Sequence, residues 1–347
     1  MNYQNLNNPD YWAKRAEDKA SAFWEKEEKV EEKLRQAYLS ALEDIKKEYS
    51  SVLSKYGDGN LVDYTTMNKN LTASELKLHK VKVADLIAKY KDLSDESILL
   101  EIEKLGKYRK LSRLQAQMHN IELILIELGI KEEELIGTHL EDTFEESYYQ
   151  TIYQIQHGTS IGLSFTLLNS RAIEEAIKYQ WAGAMFSENI WASKDTLLKN
   201  LKKTITDGII RGESYWKMTS NLHKTMDSSG YSNCLRIIRT ETAHIIEEAS
   251  AKGYQESGIV DQYTIIATLD SKTSKTCQSL DGKVFNLKDK QVGTNYPPLH
   301  PNCRTTVAPY FKETTVEQRI AREEDGKNYY VDGSMTYKEW SEKYLKK

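Results

Sequence analysis

The chain has 347 residues, of which 29% are charged, and a formal net charge of −4. This length allows two domains with a sizeable core, and the near balance of charge gives no whole-chain preference for nucleic acid or anionic membranes. Three cysteines, an odd and small number, argue against a disulfide scaffold and favour a reducing compartment.

No segment of the sequence predicts a signal peptide or a membrane span. The first eight residues contain neither a basic region nor an apolar run, so they are not typical of a leader. The most apolar window, residues 121–127, is short and carries two carboxylates. We therefore expect a soluble protein made in a cytoplasm, with no membrane partner in the folded state.

The first predicted element is a long helix. Asn8 and Pro9 suit the N-cap and the first helical position, and apolar residues recur at steps of three or four from Val30 to Tyr56. The glycine-rich residues 57–60 predict its end. The pattern indicates an amphipathic helix packed on its neighbours, with a long coiled arm that binds a partner as the alternative.

Further helices are predicted on both sides of a break at residues 156–162. That segment is the predicted domain boundary, because two glycines, two hydroxyl residues and a loss of helical period coincide in it. Thr72 and Glu75 fit a capping box, and Gly129 is predicted to end a helix. The predicted helices span residues 72–90, 94–128, 141–156, 171–186, 194–208 and 232–253.

The last third of the chain predicts a small sheet. Residues 263–268 are β-branched and aromatic, which is typical of a buried strand, and shorter strands are predicted at 284–285 and 305–308. The predicted fold class is a mainly α N-terminal region followed by a smaller α+β C-terminal module. Residues 194–239 carry nine basic and four acidic side chains, an excess compatible with DNA phosphates, an acidic partner or an ordinary solvated surface.

Two loops carry the candidate chemistry. Four of the five prolines fall within thirteen residues, which predicts a rigid loop that presents His300 and Cys303. An earlier turn presents Cys277. Thiolate and imidazole are ligands that zinc accepts, so these three residues form a candidate metal site, whose fourth ligand would be Asp270, His244 or water.

Other interpretations of the same residues stay open. Cys277 or Cys303 could act as a nucleophile with His300 as its base, and the two cysteines could form a disulfide. The simplest alternative is that small buried residues and a hydrogen-bonded histidine brace two loops. The sequence identifies no oxyanion hole and no orienting group, so bracing is preferred to catalysis.

The last predicted helix adds two charged residues. Arg239 and Glu241 flank its apolar stripe on opposite sides, and a guanidinium beside a core needs an acceptor. We expect both side chains to hydrogen-bond the loops at 270–282 and 297–304. His244 points away from the stripe and is expected to be exposed.

The sequence resembles the phage Mu F-type minor head protein family, the head morphogenesis proteins of tailed phages, in an ordered set of segments. These segments are Arg239-Thr240-Glu241, Thr268-Leu269-Asp270, 273–277, Leu280-Asp281-Gly282 and 297–304. The resemblance is strongest over about 194–309 and weaker at both termini. Leu280 and Thr305 stand where many relatives have cysteine, so the resemblance implies fewer metal ligands in this chain.

The resemblance implies a minor capsid protein at the portal vertex, inside the virion, after assembly in the host cytoplasm. It would act in head assembly, genome packaging or genome ejection. The implied partners are the portal protein, a capsid or scaffold protein and phage DNA, with zinc as the candidate cofactor. The chain would then divide into a helical interaction region (1–157), a head morphogenesis module (163–312) and a C-terminal tail (313–347).

We expect no enzymatic activity, and we give the site residues structural roles. Only 38 residues follow Pro309, too few for the toxin or transferase domains that some relatives append. Metal ligation is assigned to Cys277, His300 and Cys303. Loop bracing is assigned to seven residues, which are Arg239, Glu241, Asp270, Asp281, Gly282, Pro298 and Arg304. The alternatives are a Cys–His hydrolase or other enzyme of head maturation, and a DNA-binding module.

Overall fold

We describe the protein from a computed structural model, which covers residues 8–59, 61–181, 183–311, 318–322, 328–332, 335 and 337–344. Long helices dominate the structure, and a small antiparallel sheet forms in the last third of the chain. The predicted fold class, a helical N-terminal region with a smaller α+β C-terminal module, is therefore confirmed.

The helices of the described residues have the following bounds. They are α1 (Pro9–Tyr56), α2 (Tyr64–Met67), α3 (Ala73–Lys89), α4 (Glu96–Gly106), α5 (Arg113–Thr159), α6 (Ser170–Ile177), α7 (Phe186–Ile210), α8 (Tyr215–Met226), α9 (Ser232–Ser257), α10 (Lys275–Leu280) and α11 (Tyr337–Tyr344). A π-helix, Asp227–Tyr231, joins α8 to α9, and a short 3₁₀-helix spans Leu287–Asp289.

Strands β1 (Gln262–Ile266), β2 (Val284–Asn286) and β3 (Thr306–Tyr310) form an antiparallel sheet in the order β2-β1-β3. In its register Gln262 lies opposite Asn286 on one side and Tyr310 on the other. These three strands confirm the predicted ones to within a few residues.

A separate antiparallel hairpin forms from β4 (Gln318–Arg322) and β5 (Asn328–Asp332). Both strands lie in the region that was predicted as a tail. The hairpin contributes Ala321 and Val331 to a small core with Leu269, Tyr337 and Trp340. The described part of the tail therefore packs against the module that precedes it.

Local signals predicted two helix starts correctly. The Tyr11 backbone N–H donates to Asn8 Oδ1 at 3.1 Å, which confirms Asn8 as the cap of α1. At α3 the Thr72 side chain accepts from the Glu75 N–H, and Glu75 accepts in return from the Thr72 N–H at 2.7 Å. Each bond satisfies a backbone donor that the first helical turn leaves unpaired.

The predicted helix at 94–128 was wrong in both its continuity and its end. Two helices, α4 and α5, replace it, and Ser112 caps the second by accepting from the Gln115 N–H at 3.2 Å. Gly129 lies inside α5. An added Cβ there would lie 2.8 Å from the Trp191 ring, so this glycine serves close packing and does not end the helix.

The predicted helix at 171–186 was also wrong. Helix α6 ends at Ile177, and Gly183 takes a φ of +86°, a left-handed conformation that no α-helix continues through. Phe186 instead starts α7, which begins eight residues before the predicted start at Lys194. The predicted helix at 232–253 is confirmed as α9.

The chain forms two compact units, each built from separate stretches of sequence. The first unit contains Met1–Glu31, Ile136–Phe186 and Arg236–Lys347. The second contains Glu32–Leu135 and Ser187–Leu235. The predicted boundary at 156–162 lies inside the first unit, where α5 continues to Thr159. The division into 1–157, 163–312 and 313–347 differs from these compact units, and as a division of roles it stays a prediction.

Each unit has its own apolar core. In the first unit the core joins the end of α5 and α9 to the sheet, through Ile155, Ala251, Tyr254, Val260, Tyr263, Ile265, Leu287, Tyr296 and Val307. In the second it joins α3, α4 and the first half of α5, through Val83, Leu86, Ile98, Ile102, Leu105, Leu123 and Ile126. In the described ranges, no helix combines the length and apolar character that a membrane span requires.

Candidate functional site

The structure brings Cys277, His300 and Cys303 together in the first unit. Cys277 lies in the short helix α10, while His300 and Cys303 lie in the proline-rich loop that precedes β3. The two sulfurs are buried, and the histidine is half-buried. Ala267 and Leu299 pack around the cysteines, so the cluster sits at the edge of a small apolar core.

The donor atoms of the three residues are close to one another. The Cys277 Sγ lies 3.1 Å from the His300 Nε2 and 3.8 Å from the Cys303 Sγ. All three donor atoms lie within 4.8 Å of one another. Both cysteines are free, since a disulfide bond would place the sulfurs about 2.05 Å apart. The disulfide alternative is therefore not realised in this structure.

The proline-rich loop fixes the orientation and tautomer of His300. Its Nδ1 lies 2.8 Å from the Pro301 carbonyl oxygen, which can only accept, so Nδ1 carries a proton. A neutral ring then keeps its lone pair on Nε2, which faces Cys277 and accepts from the Ser274 hydroxyl at 2.8 Å. A second hydrogen bond of this kind is the usual way in which proteins orient a metal-binding histidine.

The two thiols share one ionisation. The hydrogen bond from Cys303 lowers the pKa of the Cys277 thiol, against the effect of burial, and the Thr305 hydroxyl lowers it further. The same bond, together with burial, raises the pKa of the Cys303 thiol. The cluster therefore stabilises one thiolate before any ligand arrives.

These distances fit a tetrahedral zinc ion. Zinc–sulfur bonds of about 2.3 Å at a tetrahedral angle separate two sulfur ligands by about 3.8 Å. The observed separation of the two sulfurs is 3.8 Å. The Cys277 to His300 distance of 3.1 Å would widen by about 0.5 Å around the ion. The three side chains therefore suit two thiolate ligands and one imidazole ligand.

Asp270, which was considered as a fourth ligand, is engaged elsewhere. Its two carboxylate oxygens accept from the Arg304 guanidinium at 2.5 and 2.9 Å. Burial acts to raise the pKa of Asp270, but the hydrogen bonds and charge of Arg304 outweigh it and lower the pKa. The pair joins the segment after β1 to the proline-rich loop, and the bracing role of both residues stays a prediction.

Asp281 and Gly282 hold the turn after α10. The Asp281 carboxylate accepts from the Ala267 N–H at 2.9 Å and from the Tyr337 N–H at 3.0 Å. Gly282 has a φ of +74°, and its N–H donates to the Ile265 carbonyl at 2.9 Å. Residues other than glycine are strained in this conformation. Both residues therefore help to fix the shape of the turn after α10.

Pro298 follows a cis peptide bond in the proline-rich loop. In the same loop Asn302 takes a φ of +58°, and its N–H donates to the Thr240 hydroxyl at 3.0 Å. Thr240 therefore makes the contact between α9 and this loop that was predicted for its two charged neighbours. No local pattern predicts this contact, because a threonine within a helix usually bonds its own backbone.

Arg239 and Glu241 have other contacts than the predicted ones. The Arg239 guanidinium donates two bonds to Glu31 of α1, at 2.6 and 3.0 Å. Glu241 is buried and accepts from the Trp181 indole at 3.1 Å. Burial raises the pKa of Glu241 to about 7, although the indole bond opposes the shift. The predicted hydrogen bonds to the two loops are not confirmed for either residue.

The prediction that His244 is exposed was wrong. Its side chain is 1% exposed, and its ring stacks on Trp181 at 5.0 Å between centroids. Burial lowers the pKa of His244 to about 3, so the ring is neutral. A helical wheel predicts one solvated face, whereas α9 is buried on all sides from Thr240 to Glu247.

Comparison with known proteins gives this region a family. Residues 199–308 match the family described as Phage Mu protein F like protein. The predicted resemblance is therefore confirmed: the chain carries a Phage Mu protein F-like region from α7 to β3, and this region includes Cys277, His300 and Cys303.

Two curated relatives have different named functions. Minor head protein GP7 of Bacillus phage SPP1 is 22% identical over 307 residues, which cover 83% of this chain and 95% of that protein. The NAD(+)–arginine ADP-ribosyltransferase EFV of Enterococcus faecalis is 26% identical over 244 residues, 67% of this chain. That match covers 49% of the transferase, so the chain spans about half of its length. No solved structure matches the chain significantly.

Proposed function

We propose that this protein is a minor head protein of a tailed phage or prophage, located in the virion at the portal vertex. The observation that carries the proposal is the Mu protein F-like region, together with an alignment that covers 95% of a phage minor head protein. We further propose that it binds the portal protein and a capsid or scaffold protein during head assembly. Roles in genome packaging or genome ejection belong to the same proposal.

We propose that the protein acts without catalysis. The charged groups around the candidate site bond to other parts of the protein, since Asp270 binds Arg304 and Asp281 binds two backbone N–H groups. Such bonds fix loops in place, and they favour a structural role for the module. The transferase relative extends well beyond the aligned half, so its named activity gives little support to an enzymatic role here.

Quantitative mass spectrometry of purified DNA-filled particles tests this function. We expect a few copies of the chain per particle, at or below the number of portal subunits. Particles assembled without the portal protein should lack it, while keeping their major capsid protein. Complete absence from normal particles, with abundant protein in the producing cell, would contradict the proposal and favour an assembly factor or an enzyme.

We propose that Cys277, His300 and Cys303 hold a zinc ion that locks the two loops together. Metal analysis of the purified protein should find about one zinc per chain. Cys277→Ala and Cys303→Ala should each lose it. Cys234→Ala is the matched control, because Cys234 is also buried but belongs to the second unit. Equal zinc content in all three variants would contradict this site.

DNA is the remaining proposed partner, and one surface of the second unit suits it. The Thr204 and Thr225 hydroxyls lie 3.1 Å apart, and Asn200 donates to Ser229 at 3.0 Å, so α7 and α8 pack as an antiparallel hairpin. At 100° per residue, the positions just before the two threonines project to the same side of this hairpin. Those positions are Lys203 and Lys224.

This side of the hairpin, which we call the lysine face, is exposed and basic. Lys199 and Lys217 also project to it, and none of the four lysines forms an ion pair with any residue that the structure describes. The opposite side is buried through Leu201, Ile205, Leu222 and Met226. We propose that the lysine face contacts DNA phosphates, because unpaired lysines spaced along a helix provide charge for a phosphate backbone.

The salt dependence of DNA binding tests the lysine face. The double variant Lys203→Ala/Lys224→Ala should bind duplex DNA more weakly and lower the slope of log affinity against log salt by about two. Lys77→Ala/Lys80→Ala removes two exposed lysines from α3 and should change neither quantity. Equal losses in the two variants would point to general charge attraction and would contradict a defined surface.

A further inference from the structure

The proposed zinc centre has three protein ligands, whereas a structural zinc site has four. Among the residues that the structure describes, the group of histidine, cysteine and carboxylate side chains at this site contains only Cys277, His300 and Cys303. We propose that the fourth coordination position is open and takes an exchangeable ligand: water, which a sulfur or nitrogen donor such as a thiolate or an imidazole can displace. This inference rests on the proposed zinc centre.

The two side chains considered from sequence as fourth ligands have other positions. Both carboxylate oxygens of Asp270 accept hydrogen bonds from Arg304, and one also accepts from the Lys272 N–H at 3.0 Å. His244 is stacked on Trp181 and enclosed within the first unit. Leu280, which packs against the cysteines, has no donor atom. The fourth ligand must therefore come from outside these side chains.

Two hydroxyl groups mark where an outside ligand would lie. The Ser274 hydroxyl is 2.8 Å from the His300 Nε2, and the Thr305 hydroxyl hydrogen-bonds the Cys277 thiol. Hydroxyls are weak zinc ligands compared with thiolate or imidazole, but they donate well to a zinc-bound water or to an incoming anion. They can therefore hold a fourth ligand in place without replacing it.

The burial of the cluster shows from which side a ligand can reach the open position. Cys277 and Cys303 are enclosed, whereas His300 and Ser274 are half-buried. A ligand can thus approach past the histidine and the serine. A three-ligand zinc site with one accessible position is the arrangement that binds molecules from solution, in contrast to closed structural sites. A cysteine or histidine side chain of a partner protein has the chemistry to occupy it.

Cobalt substitution tests the open position with a readout other than activity. Cobalt replaces zinc in tetrahedral sites and absorbs visible light according to its ligands. We expect the cobalt spectrum of the full chain to shift saturably when imidazole or a small thiol is added. A spectrum that the added ligands leave unchanged, in a protein that binds one cobalt per chain, would overturn the open position.

Thr305→Cys provides the complementary gain-of-function variant. A sulfur beside Cys277 would complete four protein ligands, so the cobalt spectrum should gain thiolate absorption and lose its response to imidazole. Thr305→Val, which is similar in shape and has no donor, should still respond but bind the added ligand more weakly, because the hydroxyl no longer holds it. If Thr305→Val responds to imidazole where the original chain does not, Thr305 itself is the fourth ligand and the proposal fails.

Two further results separate this inference from those on which it rests. Absence of bound zinc or cobalt from the original chain would overturn the metal centre together with the open position. A chain that binds cobalt, is found in particles and keeps the same cobalt spectrum when imidazole or thiol is added would overturn the open position alone.

Discussion

Both compact units bury a lysine and a glutamate, but they pair them in different ways. In the second unit Lys194 contacts Glu132 directly at 2.5 Å, and Tyr38 donates to the same carboxylate at 2.8 Å. In the first unit Glu247 accepts from Thr306 at 2.6 Å, while the Lys19 amine donates to hydroxyls. Those hydroxyls belong to Ser147, Thr151 and Ser250, at 3.3, 2.9 and 2.6 Å.

The two arrangements compensate a buried charge in different ways. In a direct contact each charge compensates the other, so the loss of one leaves the other uncompensated. Hydroxyl groups stabilise the Lys19 amine without neutralising its charge, and Lys19 and Glu247 also attract each other through their charges. Burial lowers the pKa of Lys19 and raises that of Glu247, so each can become neutral within an ordinary pH range. The second unit should therefore be sensitive to substitution, and the first to pH.

Breaking the direct pair between Lys194 and Glu132 should destabilise the protein most. Lys194→Met should lower the free energy of unfolding by about 3–5 kcal/mol, because it leaves Glu132 charged and buried without its partner. Urea denaturation measures the loss. Adding Glu132→Gln should restore much of it, since the uncompensated charge is then removed. A single variant that loses less than about 1 kcal/mol would show that the contact is not the dominant compensation.

The next effect tests the pH sensitivity of the first unit. Burial raises the pKa of Glu27 to about 8, from an ordinary value near 4.5. A raised folded-state pKa means that the folded chain binds more protons than the unfolded chain between these values. The stability that Glu27 contributes is thus complete below about pH 4.5 and is lost as the pH rises through 8.

Urea midpoints at pH 6 and pH 9 check this prediction. The original chain should lose on the order of 2 kcal/mol between them, and Glu27→Gln should lose less and be the more stable chain at pH 9. Glu241 and Glu247, whose pKa values burial also raises, add to this loss, whereas Lys19 and His244, whose pKa values burial lowers, oppose it. Identical pH profiles for the two chains would contradict a buried, protonated Glu27.

A smaller effect should come from a position where only the backbone is constrained. Gly282→Ala should cost about 1 kcal/mol, because its φ of +74° disfavours a side chain although the space around it is open. Gly162→Ala is the matched control, since it has the same open space and no left-handed backbone. Thermal unfolding of both variants should separate them, and equal stabilities would contradict backbone strain as the cause.

The smallest effect should come from an exposed pair next to the buried one. Lys131 donates to Glu134 at 2.9 Å on the solvent side of α5. Lys131→Ala should change the free energy of unfolding by less than about 0.5 kcal/mol, because water already stabilises both charges. A loss comparable with that of Lys194→Met would remove the contrast between exposed and buried pairs.

Features set by neighbouring residues could be predicted from the sequence. Asn8 capped its helix as expected, Thr72 and Glu75 formed a capping box, and the three candidate metal ligands came together. In each case the signal lies within a few residues, or within two turns that flank a single sheet. The physical constraint is then already present in the local sequence.

Features set by distant contacts could not be predicted. Arg239 pairs with Glu31, which is 208 residues away, and no local pattern indicates that partner. His244 was placed on a solvated face, but α9 is surrounded by other elements of the first unit. Gly129 was predicted to end a helix, but it lies inside α5, where the Trp191 ring packs too close to leave room for a side chain. Tertiary packing decided each of these outcomes.

The order of the segments in the chain also sets the order in which a ribosome can complete the two units. The second unit is finished once residue 235 has been synthesised, whereas the first needs strands that begin at Gln262. Until then, Trp12 lacks Ile266 and Ala308, the residues that bury it in the finished protein. The apolar side chains at the start of the nascent chain therefore stay exposed until its last third has been synthesised. Molecular chaperones have the longest time to bind the chain at this segment.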